Sequence, residues 1–370
     1  MASVKRRENG KWRARYRDSE GKEHARHFPT RKAGQAWLDE VTTATLTGQY
    51  VDPKAGKITL EAFYQDWAKR QIWEHSTKLT MDRAMKACTF KTVELGKIRR
   101  SHVESWVKSM TAVPLAPITI RARVNNIRTV IRAAIRDKYM AVDPVDGVPL
   151  PRIRRSEHAM TIPTPEEVGA VMGAMPKYLR AFVAVCAFAG LRSGEAAAIR
   201  FEDFDFLGRK LHVVRQAQRG EGKGLEIRAP KYGSERTVYV PDDLLTIVNE
   251  HVTQVGISSK HHYLFFVGQD PIGPNTVHAE WTAARESVGL PKLRVHDLRH
   301  FFASGLIAAG VDVVAVQRAL GHAKASTTLN TYSHLWPSAE DRTRAAAAGI
   351  IQQVRANPAD SLRTASPETA

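Results

Sequence analysis

The sequence predicts a multidomain chain, mainly α-helical with small β-sheets, and three observations predict it. A length of 370 residues allows two or three domains, and 43% hydrophobic residues are enough for packed cores. Strand-like alternation is confined to the N-terminal segment and to a stretch between residues 210 and 240. Elsewhere apolar residues recur at three- and four-residue intervals, the spacing of helices buried on one face.

Residues 1–56 read as a small three-stranded sheet followed by a helix. Residues 4–7 and 12–17 are strand-like and joined through Asn9-Gly10, a dipeptide that tolerates the positive φ of a tight hairpin turn. Trp12, Ala14 and Tyr16 then fall on one face, and Arg13, Arg15 and Arg17 on the other. After a turn at 19–22 comes a third strand at 24–28. Thr30 can cap a helix that gathers Ala33, Ala36, Trp37, Val41 and Ala44 on one face. Through Lys32 there are 11 basic and 4 acidic residues, so the sheet sets an arginine face over an apolar back.

Residues 57–148 read as a helical domain. Thr59 caps a helix containing Trp67, and in residues 118–137 Ile120, Val124, Ile127, Ile131, Ala134 and Ile135 form one buried stripe. Arg121, Arg128, Arg132 and Arg136 lie off it, as a solvated face or a basic surface. Residues 149–163 read as an extended basic linker carrying Arg152, Arg154 and Arg155, because Pro149 and Pro151 exclude helix.

Residues 164–356 open on Thr164-Pro165-Glu166-Glu167, a capping box with proline at the first helical position. Helices are expected at 179–188 and from 193, and strands at 210–216, 225–229 and 236–240. Further helices follow at 243–252, 275–287, 297–309, 312–320 and 326–335, with Gly310 and Gly321 placed as C-caps. Ser338-x-x-Asp341 can cap a last helix containing Ile350 and Ile351; residues 357–370, rich in Pro, Ser and Thr, are expected to be disordered.

With 55 Lys+Arg against 38 Asp+Glu, the net charge is +17, which calls for a polyanionic partner, nucleic acid before an anionic membrane. No apolar run approaches the ~20 residues of a membrane span, and no signal core or lipidation motif is present, so a cytoplasmic protein with no membrane role is expected. Cys88 and Cys186 are far apart, which excludes a disulfide scaffold and a CxxC zinc site. His296-Asp297-Leu298-Arg299-His300 is not the HExxH motif and no acidic cluster accompanies it, so no metal is expected.

Several polar residues stand where elements break. Arg192 follows an apolar helix that ends at Gly190, with Ser193 expected to cap the next helix. Lys231 lies in a hairpin, His296 and Arg299 share one face of a helix N-terminus, His322 follows a glycine cap, and Tyr332 sits near a helix end. Singly, each has an ordinary alternative. Arg192 pairs with Glu195, Lys231 is an exposed loop lysine, the His296 segment is a surface cap, His322 favours a helix C-terminus, and Tyr332 is a half-buried amphipathic side chain.

In order, Arg192, Lys231, His296-x-x-Arg299, Leu320-Gly321-His322 and Tyr332 resemble the tyrosine recombinase (phage integrase) family. The resemblance runs through residues 166–335 and includes Ala189-Gly190-Leu191-Arg192-Ser193-Gly194-Glu195 and the His322-to-Tyr332 spacing. It implies a mixed α/β catalytic domain at 164–356 that cleaves and rejoins DNA at attachment sites through a 3′-phosphotyrosyl intermediate. Tyr332 would be the nucleophile, Arg192 and Arg299 the guanidinium forks on the two non-bridging oxygens, Lys231 the general acid, and Glu195 the support of Arg192. His296 and His322 would bond the phosphate and help move the tyrosine proton.

The resemblance further implies an arm-type DNA-binding domain at 1–56, using Arg13, Arg15 and Arg17, and a core-binding domain at 57–148, using Arg128 and Arg132. Arg152 and Arg154 would cross the duplex in the linker. The implied partners are double-stranded attachment sites of core and arm type, a homotetramer on DNA, a host DNA-bending factor and an excision directionality factor, with no cofactor. Three other readings share parts of this evidence. The N-terminal sheet argues against a chromosome-dimer resolving recombinase and against a type IB topoisomerase, which needs no arm domain. Retention of all six catalytic residues argues against an inactive DNA-binding accessory factor.

Overall fold

The computed structural model describes residues 2–17, 21–46, 55–113, 115–153, 162–220, 222, 224–230, 233–336 and 339–356. The chain divides into two compact units, residues 1–158 and 159–370, and separate apolar cores fill them.

The first unit begins with the antiparallel sheet β1 (Ser3–Arg6), β2 (Trp12–Arg17) and β3 (Glu23–Phe28), in that order, with Ala14 opposite Val4 and Arg26. The β1–β2 connection is longer than a two-residue hairpin: Arg7 N–H bonds Lys11 O, Gly10 N–H bonds Arg7 O, and only Gly10 has positive φ. This is a type I turn closed by a left-handed glycine, which leaves Asn9 right-handed. Helix α1 (Arg31–Leu46) has the Thr30 cap, at 3.2 Å from Ala33 N–H. Of the expected face, Ala33, Trp37, Val41 and Ala44 are half-buried and Ala36 is exposed, while Gly34 and Leu38 lie deepest. The missing side chain at Gly34 lets α1 approach Val4 and Ala14, which centres the contact between Gly34 and Leu38.

Four longer helices complete this unit: α2 (Leu60–Lys69), α3 (His75–Ala87), α4 (Arg100–Ala112) and α5 (Pro117–Arg136). Thr59 caps α2, and the α5 stripe of Ile120, Val124, Ile127, Ile131 and Ala134 is buried among Phe63, Met85 and Trp106. Burial of an aliphatic side chain is worth about 1.5–3 kcal/mol, so this stripe anchors the bundle.

The second unit runs through α6 (Pro165–Ala174), α7 (Lys177–Phe188), α8 (Ser193–Ala197), β4 (Phe204–Asp205), β5 (Lys210–Val213), β6 (Gln216–Arg219), β7 (Leu225–Arg228) and β8 (Arg236–Tyr239). It continues with α9 (Asp242–Gln254), β9 (Phe266–Val267), β10 (Asp270–Pro271), α10 (Pro274–Ser287), α11 (Val295–Ala308), α12 (Val313–Leu320), α13 (Ala325–Tyr332) and α14 (Ala339–Ala356). The Thr164–Glu167 capping box forms with Pro165 at the first position.

The strand expected at 210–216 is two strands. Arg215 turns to Asp203, at 2.7 Å, and breaks the line, so β5 joins β4 and β8 while β6 forms a hairpin with β7. Helix α7 is buried from Ala181 through Ala187 and packs against α9 and α11, which explains its unbroken apolar run. No helix among the described residues is long and apolar enough to cross a membrane. On α14, Ile350 and Ile351 are exposed rather than closing a core.

Candidate active site

The site grows from the end of α7. Gly190, at φ +66°, turns the chain out of the helix, and a Cβ there would stand 2.4 Å from the Phe302 ring. That turn makes Arg192, not Ser193, the N-cap of α8, because Glu195 Oε2 accepts the Arg192 backbone N–H at 2.9 Å. Arg192 Nη1 also donates to Glu195 Oε1 at 2.6 Å. The same carboxylate receives Arg236 of β8, with Nη2 donating to Oε2 at 2.9 Å. Glu195 is 1% exposed and Arg236 5%. Burial alone would raise the Glu195 pKa, but hydrogen bonds and charge from Arg236, then Arg192, hold it below the usual carboxylate range. The pairing expected for Arg192 thus exists and leaves its side chain a third exposed.

Helix α11 supplies the next wall. Asp297 Oδ2 accepts the Arg294 backbone N–H at 2.8 Å and fixes the helix start. One turn further, Arg299 is 2% exposed, donates Nη1 to Gly190 O at 2.6 Å, and bonds Leu320 O through Nη2. One guanidinium therefore joins the end of α7 to the end of α12. Among the described residues these bonds use two of its five N–H groups. Among the described residues no carboxylate forms an ion pair with Arg299. Burial, with Arg192 and Arg236 nearby, pushes its pKa down to about 9, so it stays cationic at neutral pH.

The last wall comes from the end of α12 and from α13. Gly321 caps α12 at φ +62°, and Arg236 Nε holds the preceding Ala319 O at 2.8 Å. His322 then sets its Nδ1 2.9 Å from Thr328 Oγ1, which leaves Nε2 as its other ring nitrogen. Burial, then Arg299 and Arg192, push His322 down to about 4; burial, then Arg299, also lower His296. Tyr332 closes α13 and is 1% exposed, with its hydroxyl 2.7 Å from His300 Nδ1. Burial pushes the phenol up to about 12, against the opposing pull of Arg299.

Arg192, His296, Arg299, His322 and Tyr332 thus line one cavity of about 480 Å³, with Glu195 behind Arg192. Its walls hold two guanidiniums, neutral imidazoles and a phenol, a set suited to a phosphoryl anion facing a nucleophile. Lys231 and Arg154 lie outside the described residues, as do residues 357–370 and most of the linker. Sequence reasoning missed His300, although four residues after His296 it shares that face of α11. It also missed Arg236, whose signal is its place two residues before buried Val238 on the same strand face.

The other arginines singled out in the sequence belong to the first unit. Arg13 and Arg15 of β2 reach Glu23 at 3.0 and 3.3 Å, while Arg17 is exposed. Arg128 is held by Asp143 at 2.9 Å and Asp146 at 2.7 Å; Arg132 is exposed but also reaches Asp143, at 3.5 Å, and Arg152 is exposed.

Residues 163–338 match the model of the phage integrase family. Over 358 residues the chain is 27% identical to the prophage phiRv2 integrase of Mycobacterium tuberculosis, covering 92% of each. Its fold is similar to that of the Tn1549 transposon integrase in complex with a circular intermediate DNA, with TM-score 0.67 and 19% identity, covering 79% of this chain and 99% of that one. It is also similar to a lambda integrase tetramer bound to a Holliday junction, with TM-score 0.57 and 16% identity, covering 87% and 96%.

Proposed function

Because this chain is a tyrosine recombinase of the integrase type, we propose that its second unit cuts and rejoins duplex DNA at attachment sites of a phage or mobile element. The observation that carries the reading is the buried cation Arg299, which among the described residues has no ion-paired carboxylate, in one cavity with the buried phenol of Tyr332. A buried charge needs a counter-ion, and a scissile phosphate supplies it.

In this reading Arg192 and Arg299 hold the two non-bridging oxygens, and His296 and His322 donate to the same phosphate. Tyr332 Oη attacks phosphorus, the bond to O5′ breaks, and a 3′-phosphotyrosyl link conserves the bond energy. Lys231 is assigned the proton for the departing O5′, a role carried by its motif alone. Attack by a free 5′-hydroxyl reverses the step. Glu195 positions Arg192 and shares its charge with Arg236.

The first unit reads as DNA-gripping surface. Residues 57–148 would hold the core site, with Arg132 and Arg152 toward phosphates; Arg128, held by two aspartates, fits that role less well. The β2 arginine face would meet arm-type sites. The exposed Ile350 and Ile351 on α14 suit a contact between protomers of a tetramer on DNA. A host bending factor and an excision directionality factor complete the proposed set of partners.

The test is a nicked duplex that traps the covalent adduct. Wild type should form a protein–DNA adduct, and Tyr332→Phe should abolish it while changing duplex affinity less than about threefold. A folded wild type that never forms the adduct at its own core site refutes the reading.

A further inference from the structure

We propose that His300 is the base that takes the proton from Tyr332 during strand cleavage. The inference rests on the recombinase reading and deepens it, since the sequence motifs point to His296 and His322 for proton movement.

Geometry separates the three imidazoles. His300 Nδ1 lies 2.7 Å from Tyr332 Oη and is, among the described residues, the hydrogen-bond partner of that hydroxyl. The rings meet edge-on with centroids 5.6 Å apart. His322 has its Nδ1 engaged by Thr328, and His296 touches the edge of His300, with centroids 4.9 Å apart. A base must reach the proton it removes, and His300 does so before DNA arrives.

The surroundings fix the direction of that hydrogen bond. Burial is the largest effect on His300, and His296 beside it also disfavours a proton; Asp297 opposes them, Arg294 at the helix cap and Arg299 add smaller repulsions, and the pKa is pushed down to about 4. Across the cavity stand Arg192, His322 and Lys324, and Tyr332 comes from α13. At neutral pH the ring is therefore uncharged, and the phenol, held near 12, keeps its proton. The phenol donates and His300 Nδ1 accepts, with the ring hydrogen on Nε2. A scissile phosphate among these cations offsets their charge and raises the basicity of the ring, so proton transfer waits for the substrate.

The step balances. The Tyr332 Oη–P bond forms as the P–O5′ bond breaks, the phenol proton passes to His300 Nδ1, and the leaving oxygen takes its proton from the general acid. In religation the 5′-hydroxyl gives its proton back to the general acid as it attacks phosphorus, the P–Oη bond breaks, and His300 Nδ1 returns its proton to Tyr332 Oη.

The experiment measures single-turnover adduct formation by the full chain from pH 6 to 9. Its probe is a nicked duplex with the core sequence read from the chromosomal junction of the element. Wild type should reach a plateau and hold it. His300→Gln, binding the same duplex equally, should be slower at pH 7 by about 10²–10⁴-fold. Its rate should then climb about tenfold per pH unit, because only phenolate attacks. A His300→Gln rate within threefold of wild type, with the same plateau, overturns the proposal but leaves the recombinase reading intact. Absence of any wild-type adduct removes both. Independently of that variant, nitrogen NMR of histidine-labelled wild type should show His300 as the Nε2–H tautomer, with its Nδ1 signal shifting in Tyr332→Phe. An Nδ1–H tautomer refutes the assignment.

Discussion

Replacing Glu195 by glutamine removes one charge from a site where three guanidiniums converge. The amide keeps an oxygen for the Arg192 backbone N–H, so α8 retains its start, but its NH₂ faces an arginine donor. Breaking a buried ion pair costs about 3–5 kcal/mol when the partner is left behind. The Arg236 half is 5% exposed and carries that cost, whereas Arg192, a third exposed, is screened by solvent and adds less. The lower end, about 3 kcal/mol, is expected. The Glu195 pKa is depressed in the folded state, so its contribution is complete above the unfolded carboxylate range and is lost as pH falls through the folded value. At pH 7 the whole difference is therefore visible. Hydrogen exchange resolves it by unit. Amides of α7 should lose protection by roughly 10²-fold, at about 1.4 kcal/mol per factor of ten. Amides of α5, in the other unit, should be unchanged. Sulfate should restore more protection to the variant than to wild type, because the orphaned cations bind it. A loss under fivefold in α7 would refute the counter-ion role.

Gly190→Ala should cost about 2–4 kcal/mol, from the left-handed backbone and the approach to Phe302, and should lower the melting temperature of the second unit; a melt within 2 °C of wild type counts against the tight turn. Acid should destabilise that unit between roughly pH 6.5 and 4, since His300 and His322 have folded values depressed to about 4, and the unfolded chain binds more protons there. Thermal melts across that window should flatten when either histidine becomes asparagine. Glu23→Gln should release Arg13 and Arg15, strengthening non-specific duplex binding and steepening its salt dependence by up to about 0.9 per phosphate contacted; an unchanged slope in a filter-binding series would exclude these arginines from the interface.

What the sequence made legible was periodic or adjacent. The α5 stripe follows from spacing alone, and the Thr30, Thr59 and Thr164 caps from local chemistry. The Arg192–Glu195 pair is three residues apart, and His296 and Arg299 share a helix face. Long-range partners were not legible. Nothing near Arg128 announces Asp143 and Asp146, which reach it only when the chain folds back after α5. The Arg13 and Arg15 face looks bare in sequence, yet β3 brings Glu23 onto it. Arg236 lies within the strand expected at 236–240, and its partner Glu195, 41 residues earlier, reaches it only through the fold. His300 stands in the same motif as His296, but the resemblance assigns the imidazole roles to His296 and His322.

The two carbonyl bonds of Arg299 also bear on how such an enzyme can be controlled by design. Gly190 lies before the exposed β4–β5 turn around Leu207, and Arg299 and Leu320 lie after it. A chain divided at Leu207 would leave Glu195 in one fragment and Arg236 in the other, and would strip Arg299 of one of its two carbonyl anchors. In the proposed mechanism the first fragment has no nucleophile, and the second has Tyr332 beside a clamp held by one carbonyl alone. Fusing the fragments to domains that associate on command would then make DNA breakage conditional on their reunion, an on–off logic written into the position of a single guanidinium.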